Sequence, residues 1–200
     1  MQETDRTAQE TRELILATAE AHLRRYGYAR TTVSEIARAC GMSHANVYRF
    51  FKAKADIIDA VIEQWLRRTE IALQGIAAQQ IPAVAKLKAY ILELYRIKRR
   101  DCATEQELFE AFSAILQAHR TVVAHHIQSI RAILKDILSS GVQQGEFQIA
   151  DIERATNAVW DATLKFHHPL LVSDTTDEPT EEQACTILDL LIVALKVGCI

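Results

Sequence analysis

Two helix-start signals stand close together at Thr32 and Ser43, with Gly41 between them, and this short stretch constrains the fold more than any other part of the chain. In Thr32-Val33-Ser34-Glu35 the Thr32 hydroxyl can accept from the Glu35 amide while the Glu35 carboxylate reaches back to the amide of Thr32, the reciprocal pattern of a capping box. A helix therefore starts at Val33. It can run only to about Cys40, because Gly41 interrupts the pattern and Ser43 offers a fresh N-cap for a second helix over 44–50. Ala37 is small where two such helices must approach, Gly41 permits a left-handed turn, and Val47 is an apolar residue able to pack back on Val33 and Ile36.

The rest of the chain reads as helix. Six Gly and three Pro in 200 residues leave few positions for hairpin turns, and no alternating apolar pattern with turn chemistry marks a strand. A first helix starts around Thr7 or Thr11, sets Leu14, Ile15, Ala19, His22 and Leu23 along one side, and ends at Tyr26-Gly27 with Gly27 as its cap. A connecting helix covers 54–74. Residues 75–82, GIAAQQIP, lose charge and gain breakers, so the boundary between a head (1–54) and a body (75–200) is expected there. In the body, helical periodicity occupies about 82–99, 104–117, 119–140, 151–168 and 180–198, punctuated by Gly141, Gly145, Pro169 and Pro179. The expected fold is all-α with about nine helices: a three-helix N-terminal domain, then a helical C-terminal domain. Residues 173–182, polar and acidic, read as a loop.

The steps of four residues from Ala37 to Gly41 and six from Gly41 to Val47 match a helix-turn-helix, whose second helix lies in the DNA major groove. Charge agrees with that use. Residues 1–54 carry a net +3, whereas residues 55–200 carry −6, a basic head before an acidic body. Over residues 7–60 the chain resembles the TetR family of transcriptional regulators. The resemblance is carried by the first helix closing on Tyr26-Gly27, by Thr31-Thr32-Val33, Ile36-Ala37 and Gly41, and by Val47-Tyr48-Arg49-Phe50-Phe51 with Lys54. Many relatives have Gly where this chain has Ala45, so the approach of the helix to DNA differs slightly here.

The resemblance implies a role for each matching position. Thr32 and Tyr48 would hydrogen-bond phosphates and Lys54 would add a cation, setting register and affinity. Ser43, His44, Ala45, Asn46 and Arg49 would face the major groove, where Asn can pair with adenine, Arg with guanine, and Ala can touch a thymine methyl. Phe50 and Phe51 read as core.

Two half-sites require a two-fold dimer. The expected dimer helices carry stripes of Ile152, Ala155, Val159, Ala162 and Phe166, and of Cys185, Leu188, Leu191, Ile192 and Leu195, which would close a four-helix bundle as the resemblance implies. The resemblance also implies a small-molecule pocket among the middle helices. Tyr90, Tyr95, Phe109, Phe112, His126, Trp160 and Phe166 are the ligand-binding candidates, since they interrupt plain aliphatic packing.

The function expected is a sequence-specific, dimeric transcriptional regulator, a repressor released from operator DNA by a small-molecule ligand, with no cofactor. One alternative is a metal-responsive regulator using Cys102 and the body histidines His119, His125, His126, His167 and His168, although no strong metal spacing occurs and no metal ligand is assigned. Another is a helical binding module without DNA function. Catalysis is not expected: the chain has no G-x-S-x-G, no Gly-rich phosphate loop and no H-E-x-x-H. No apolar run is long enough to span a bilayer, the N-terminus lacks signal-peptide character, and the four cysteines are scattered, so a cytoplasmic protein without disulfides or membrane contact is expected.

Overall fold

The computed structural model describes residues 2–117, 121–173 and 179–199, and among these every regular element is helical. Ten α-helices follow in order: α1 (Gln2–Arg30), α2 (Val33–Ala39), α3 (His44–Tyr48), α4 (Lys54–Ala77), α5 (Ala83–Thr104), α6 (Gln106–Gln117), α7 (Thr121–Gln143), α8 (Ile152–Ala162), α9 (Pro169–Val172) and α10 (Glu181–Val197). A single 3₁₀ turn covers Leu164–Phe166.

The chain forms two compact units. One comprises Met1–Leu66 with Glu105–Val123, the other Arg67–Thr104 with Ala124–Ile200. α4 contributes to both, changing unit after Leu66, and α6 joins the N-terminal helices, packing on α1. Division by packing therefore differs from the compositional break at 75–82, where the irregular backbone is only residues 78–82 and Gly75 lies within α4.

In the first unit α1 buries Ile15, Leu16, Ala19 and Leu23, and it packs on α2 as well as α6. Leu14, expected on that buried side, is exposed, because Ile15 and Leu16 take the core positions of this turn. Gly27, at φ 74° and ψ 173°, breaks the helical backbone where the sequence places the cap, in a region of conformational space that is nearly glycine-only. The carboxylate of Glu107 from α6 lies where a Cβ at Gly27 would stand, and Arg24 pairs with Glu105 just before α6.

In the second unit one core joins α5, α7, α8 and α10: Leu87, Tyr90, Ile91, Leu94, Leu134, Leu138, Val159, Leu188, Ile192 and Leu195 are all buried in it. Each such side chain contributes roughly 1.5–3 kcal/mol by leaving water. Two punctuation marks act otherwise than the sequence suggests. The helix expected over 151–168 stops at Ala162, because the Thr163 hydroxyl donates back to the carbonyls of Val159 and Trp160 and the chain tightens into the 3₁₀ turn. Pro169 then opens α9 instead of closing a helix, as its missing N–H allows at a first position.

Gly141 does not end α7. It lies inside the helix, which closes in a Schellman motif: the Glu146 amide donates to the Gly141 carbonyl, the Gly145 amide to that of Val142, and Gly145 takes φ 73°. What requires glycine at 141 is packing. A Cβ there would stand 2.5 Å from Phe147 Cε2 and 2.9 Å from Ala83 Cβ. Alanine would favour the helix by about 1 kcal/mol, yet overpacking this contact costs about 1–3 kcal/mol and more when the ring cannot turn aside. Gly141→Ala is therefore expected to lower unfolding stability by about 1–2 kcal/mol in denaturant titrations, and Gly141→Ala with Phe147→Leu to recover part of it. A more stable single variant would contradict this packing account.

Candidate functional site

The α2–α3 pair is built as the local chemistry dictates. Thr32 Oγ1 accepts from the Glu35 amide at 3.2 Å and the Thr32 amide donates to Glu35 Oε2 at 3.1 Å, so both halves of the capping box are present. The Thr32 hydroxyl hydrogen-bonded to Glu35 holds that carboxyl below its usual range. α2 ends in a second Schellman motif, with the Gly41 amide on the Arg38 carbonyl, the Met42 amide on that of Ala37, and Gly41 at φ 67°. Ser43 then caps α3, its Oγ accepting from the Asn46 amide at 3.2 Å. With Ala37 and Val47 buried at 2% and 0% exposure, α3 is clamped on α2 through one side only.

Its other side faces outward. Ser43, His44, Ala45 and Arg49 are exposed, and Asn46 is half-buried with its amide nitrogen 3.9 Å from Met42 Sδ. Tyr48 is 42% exposed and meets His44 edge-on, with ring centroids 4.8 Å apart. Tyr48 is thus open to solvent, unlike Phe51, which is buried beneath the Arg12 guanidinium. Thr32 is exposed at the start of α2. Lys54 is half-buried over the Tyr28 ring, its Nζ donating to the Tyr28 carbonyl at 2.7 Å, and burial draws its pKa down. One ammonium donor is thus used within the protein and two remain for a phosphate.

The seven ligand-binding candidates from the sequence are all buried, and they divide among several places. Phe109 and Phe112 lie in the first unit, where Phe112 meets Trp65 edge-on at 5.6 Å. In the second unit the Tyr90 hydroxyl donates to the Ile130 carbonyl at 2.7 Å, and burial raises its pKa far above the ordinary phenol value. Tyr95 meets Phe166 edge-on and donates to the Pro179 carbonyl. Trp160 meets His167 at a tilt with centroids 4.0 Å apart, and the Arg131 guanidinium lies over the Trp160 ring at 5.6 Å. His126 binds Glu70, Nδ1 to Oε1, at 2.9 Å.

Sequence reasoning passed over the residues around His126. Lys98 and Asp101 fall at 2% and 8% exposure on the same side of α5 as Ile91 and Leu94. A Lys and an Asp continuing an apolar stripe at steps of three and four was the available signal. Lys98 is drawn down to about 8 by burial, opposed by the Asp101 charge, and burial pushes Asp101 up. His126 and His167 are drawn down to about 3 and about 4, first by burial and then, in both, by the Lys98 charge, against a backbone hydrogen bond with Trp160 that raises His167. Both imidazoles are therefore neutral at pH 7.

Among the described residues no three His, Cys, Asp or Glu side chains converge as a metal site. His119 lies outside the described residues. No described helix is long and apolar enough to cross a membrane. A surface groove of roughly 580 Å³ between α7 and α8, lined by Ile127, Arg131, Lys135, Glu153 and Thr156 among others, holds none of the seven candidates.

The stripes expected at the dimer interface are mostly spent inside the protomer. Ala155, Val159, Phe166, Leu188, Ile192 and Leu195 are buried because α8 and α10 pack on each other and α10 packs on α5. The apolar residues left uncovered on α10 are Leu190, Val193 and Val197, at 69%, 60% and 59% exposure.

Comparison with known proteins agrees with this architecture. The model of bacterial regulatory proteins of the tetR family matches residues 15–61, and that of the tetracyclin repressor-like C-terminal domain matches residues 83–188. The HTH-type transcriptional regulator TtgR of Pseudomonas putida is 25% identical over 168 residues, 78% of each chain. The same fold occurs in RolR, solved in complex with resorcinol (TM-score 0.64, 16% identity, 96% of this chain and 90% of that one). It occurs also in FadR of Bacillus subtilis, solved with stearoyl-CoA (TM-score 0.63, 19% identity, 90% and 97%). Two family models that together span the head and most of the body, on a chain whose α2–α3 pair is capped and clamped as a reading head, settle its place: it belongs to the TetR family of ligand-responsive, DNA-binding transcriptional regulators.

Proposed function

We propose that the protein is a homodimeric repressor whose head, residues 1–54, holds operator DNA and whose body, residues 75–200, binds a small molecule that releases it. The observation that carries this reading is α3 itself, a five-residue helix fixed from behind by Val47 and the Ser43 cap and open to solvent along His44, Ala45, Tyr48 and Arg49. A rigid helix with a polar, uncovered face is what direct readout of base edges needs. Thr32, Tyr48 and Lys54 flank it as phosphate contacts that position, and Ser43, His44, Ala45, Asn46 and Arg49 as contacts that specify.

Dimerisation rests on the uncovered α10 stripe, and it matches two heads to two half-sites. Ligand response follows from the body's family and from relatives solved with small molecules, one with resorcinol and one with stearoyl-CoA. Release requires the ligand to bind better to dimers whose head spacing does not fit two successive major grooves, which shifts the population away from the DNA-bound form.

Electrophoretic mobility shift with the DNA upstream of the protein's own gene tests the reading: a retarded band that weakens steeply with salt is expected. Tyr48→Phe should weaken binding by a similar factor on every operator variant, while Asn46→Ala should relax preference at one base position. If the two variants behave alike, the assignment of positioning and specifying roles fails. If the folded wild-type dimer binds no DNA in a sequence-dependent way, the regulator reading fails.

A further inference from the structure

In the second unit His126 adds a buried imidazole to the buried polar groups Lys98, Asp101 and His167. The ring is 3% exposed, and Nδ1 lies 2.9 Å from Glu70 Oε1. An ionised carboxylate only accepts, so Nδ1 carries the ring's proton in this pair. Burial together with the nearby Lys98 ammonium keeps the imidazole neutral, so Nε2 holds a bare lone pair. Nε2 is fully enclosed and has no hydrogen-bond partner among the described residues. A buried acceptor left in that condition costs about 1–3 kcal/mol, and natural interiors keep few. Glu70 fixes which nitrogen is bare and thereby orients the acceptor.

We propose that His126 Nε2 is the group that recognises the ligand, and that the ligand is a neutral, largely apolar molecule presenting a hydroxyl donor to it. The proposal rests on the reading of the body as ligand-binding and specifies the chemistry of that site. A carboxylate would set an acceptor against an acceptor at this nitrogen, whereas an O–H satisfies it. A site built around such a polar group discriminates strongly against an analogue lacking the partner, because the group is then left unpaired again. His167, whose ring centroid lies 4.0 Å from that of Trp160, feels the same Lys98 charge as His126, and this aromatic pair is the surface the apolar part of the ligand is expected to meet. Glu70 is a positioning residue, acting through the imidazole.

Calorimetric titration of the full-length protein with 2-naphthol, 2-methoxynaphthalene and 2-naphthoate, three probes on one ring system, tests the proposal. The naphthol is expected to bind at least about tenfold tighter than the methyl ether, and the naphthoate no better than the ether. In His126→Leu, checked for an intact fold by its melting transition, the ratio of naphthol to ether affinity should fall below about threefold. A measurement on the unsubstituted protein runs in parallel: the ¹⁵N resonance of His126 Nε2 should shift on adding naphthol and stay in place on adding the ether. Equal affinities, preference for the naphthoate, an unmoved Nε2 resonance, or no binding by any probe to a protein that still binds operator DNA would each overturn the proposal. Failure of operator binding in the ligand-free protein would strike at the regulator reading and not at this site.

Discussion

Leu190→Asp combined with Val193→Asp is expected to turn the protein into a folded monomer that binds its operator about 10²–10⁴-fold more weakly. α10 is apolar on two sides. Ala184, Leu188, Ile192 and Leu195 are buried within the protomer, while Leu190, Val193 and Val197, spaced by three and four residues, stand 59–69% exposed. An exposed apolar stripe of this kind marks an interaction surface, and it is the surface on which the proposed dimer would close. Substitution at such exposed positions changes protomer stability by no more than about 0.5 kcal/mol, but an aspartate desolvated against its partner opposes association strongly. The loss on DNA follows because the second head then no longer binds as part of one molecule. Sedimentation velocity reads the mass and mobility shift reads the affinity. A variant that stays dimeric would place the interface elsewhere, and a monomer with undiminished affinity would remove the need for two half-sites.

Acidification from pH 7 to pH 5 is expected to destabilise the protein steeply, chiefly through two buried histidines. His126 and His167 have folded pKa values of about 3 and about 4, far below the ordinary histidine value of 6.5. Below pH 6.5 the unfolded chain takes up protons at these rings that the folded chain refuses, so stability present above that pH is lost as pH falls towards the folded values. Each ring contributes about 1.4 kcal/mol per pH unit at full slope, so the pair contributes roughly 2–3 kcal/mol per unit near pH 5. Denaturant midpoints at fixed protein concentration measure this, and His167→Phe should remove about half of the slope. A midpoint unchanged between pH 7 and pH 5 would mean that the two imidazoles accept protons where they lie, contrary to their enclosure beside Lys98.

The head was largely legible because its determinants are local. The Thr32 and Ser43 caps, the Gly41 turn and the Val47 contact each depend on atoms a few residues apart, and such hydrogen bonds form wherever the spacing allows them. The exposure of α3 followed from the same periodicity. The body was legible only as a set of helices. Gly141 reads as a breaker, yet its role is set by Phe147 and Ala83, the latter 58 positions earlier. The helix over 151–168 looks continuous until the Thr163 hydroxyl turns back on its own backbone.

By itself the sequence determined the all-α class, the helix-turn-helix with its caps, and the family to which the chain belongs. Tertiary structure alone decided which side of an apolar helix is spent inside the protomer and which is left for a partner, so that Leu188, Ile192 and Leu195 are core while Leu190, Val193 and Val197 are not. It also decided that Lys98, Asp101, Glu70 and His126 form one polar group within the body. The reason is the range of the forces. Caps and turns are satisfied within one or two helical turns, so their residues announce them. Burial and charge act between segments distant in the chain, and a periodic stripe of apolar side chains does not record which neighbour will cover it.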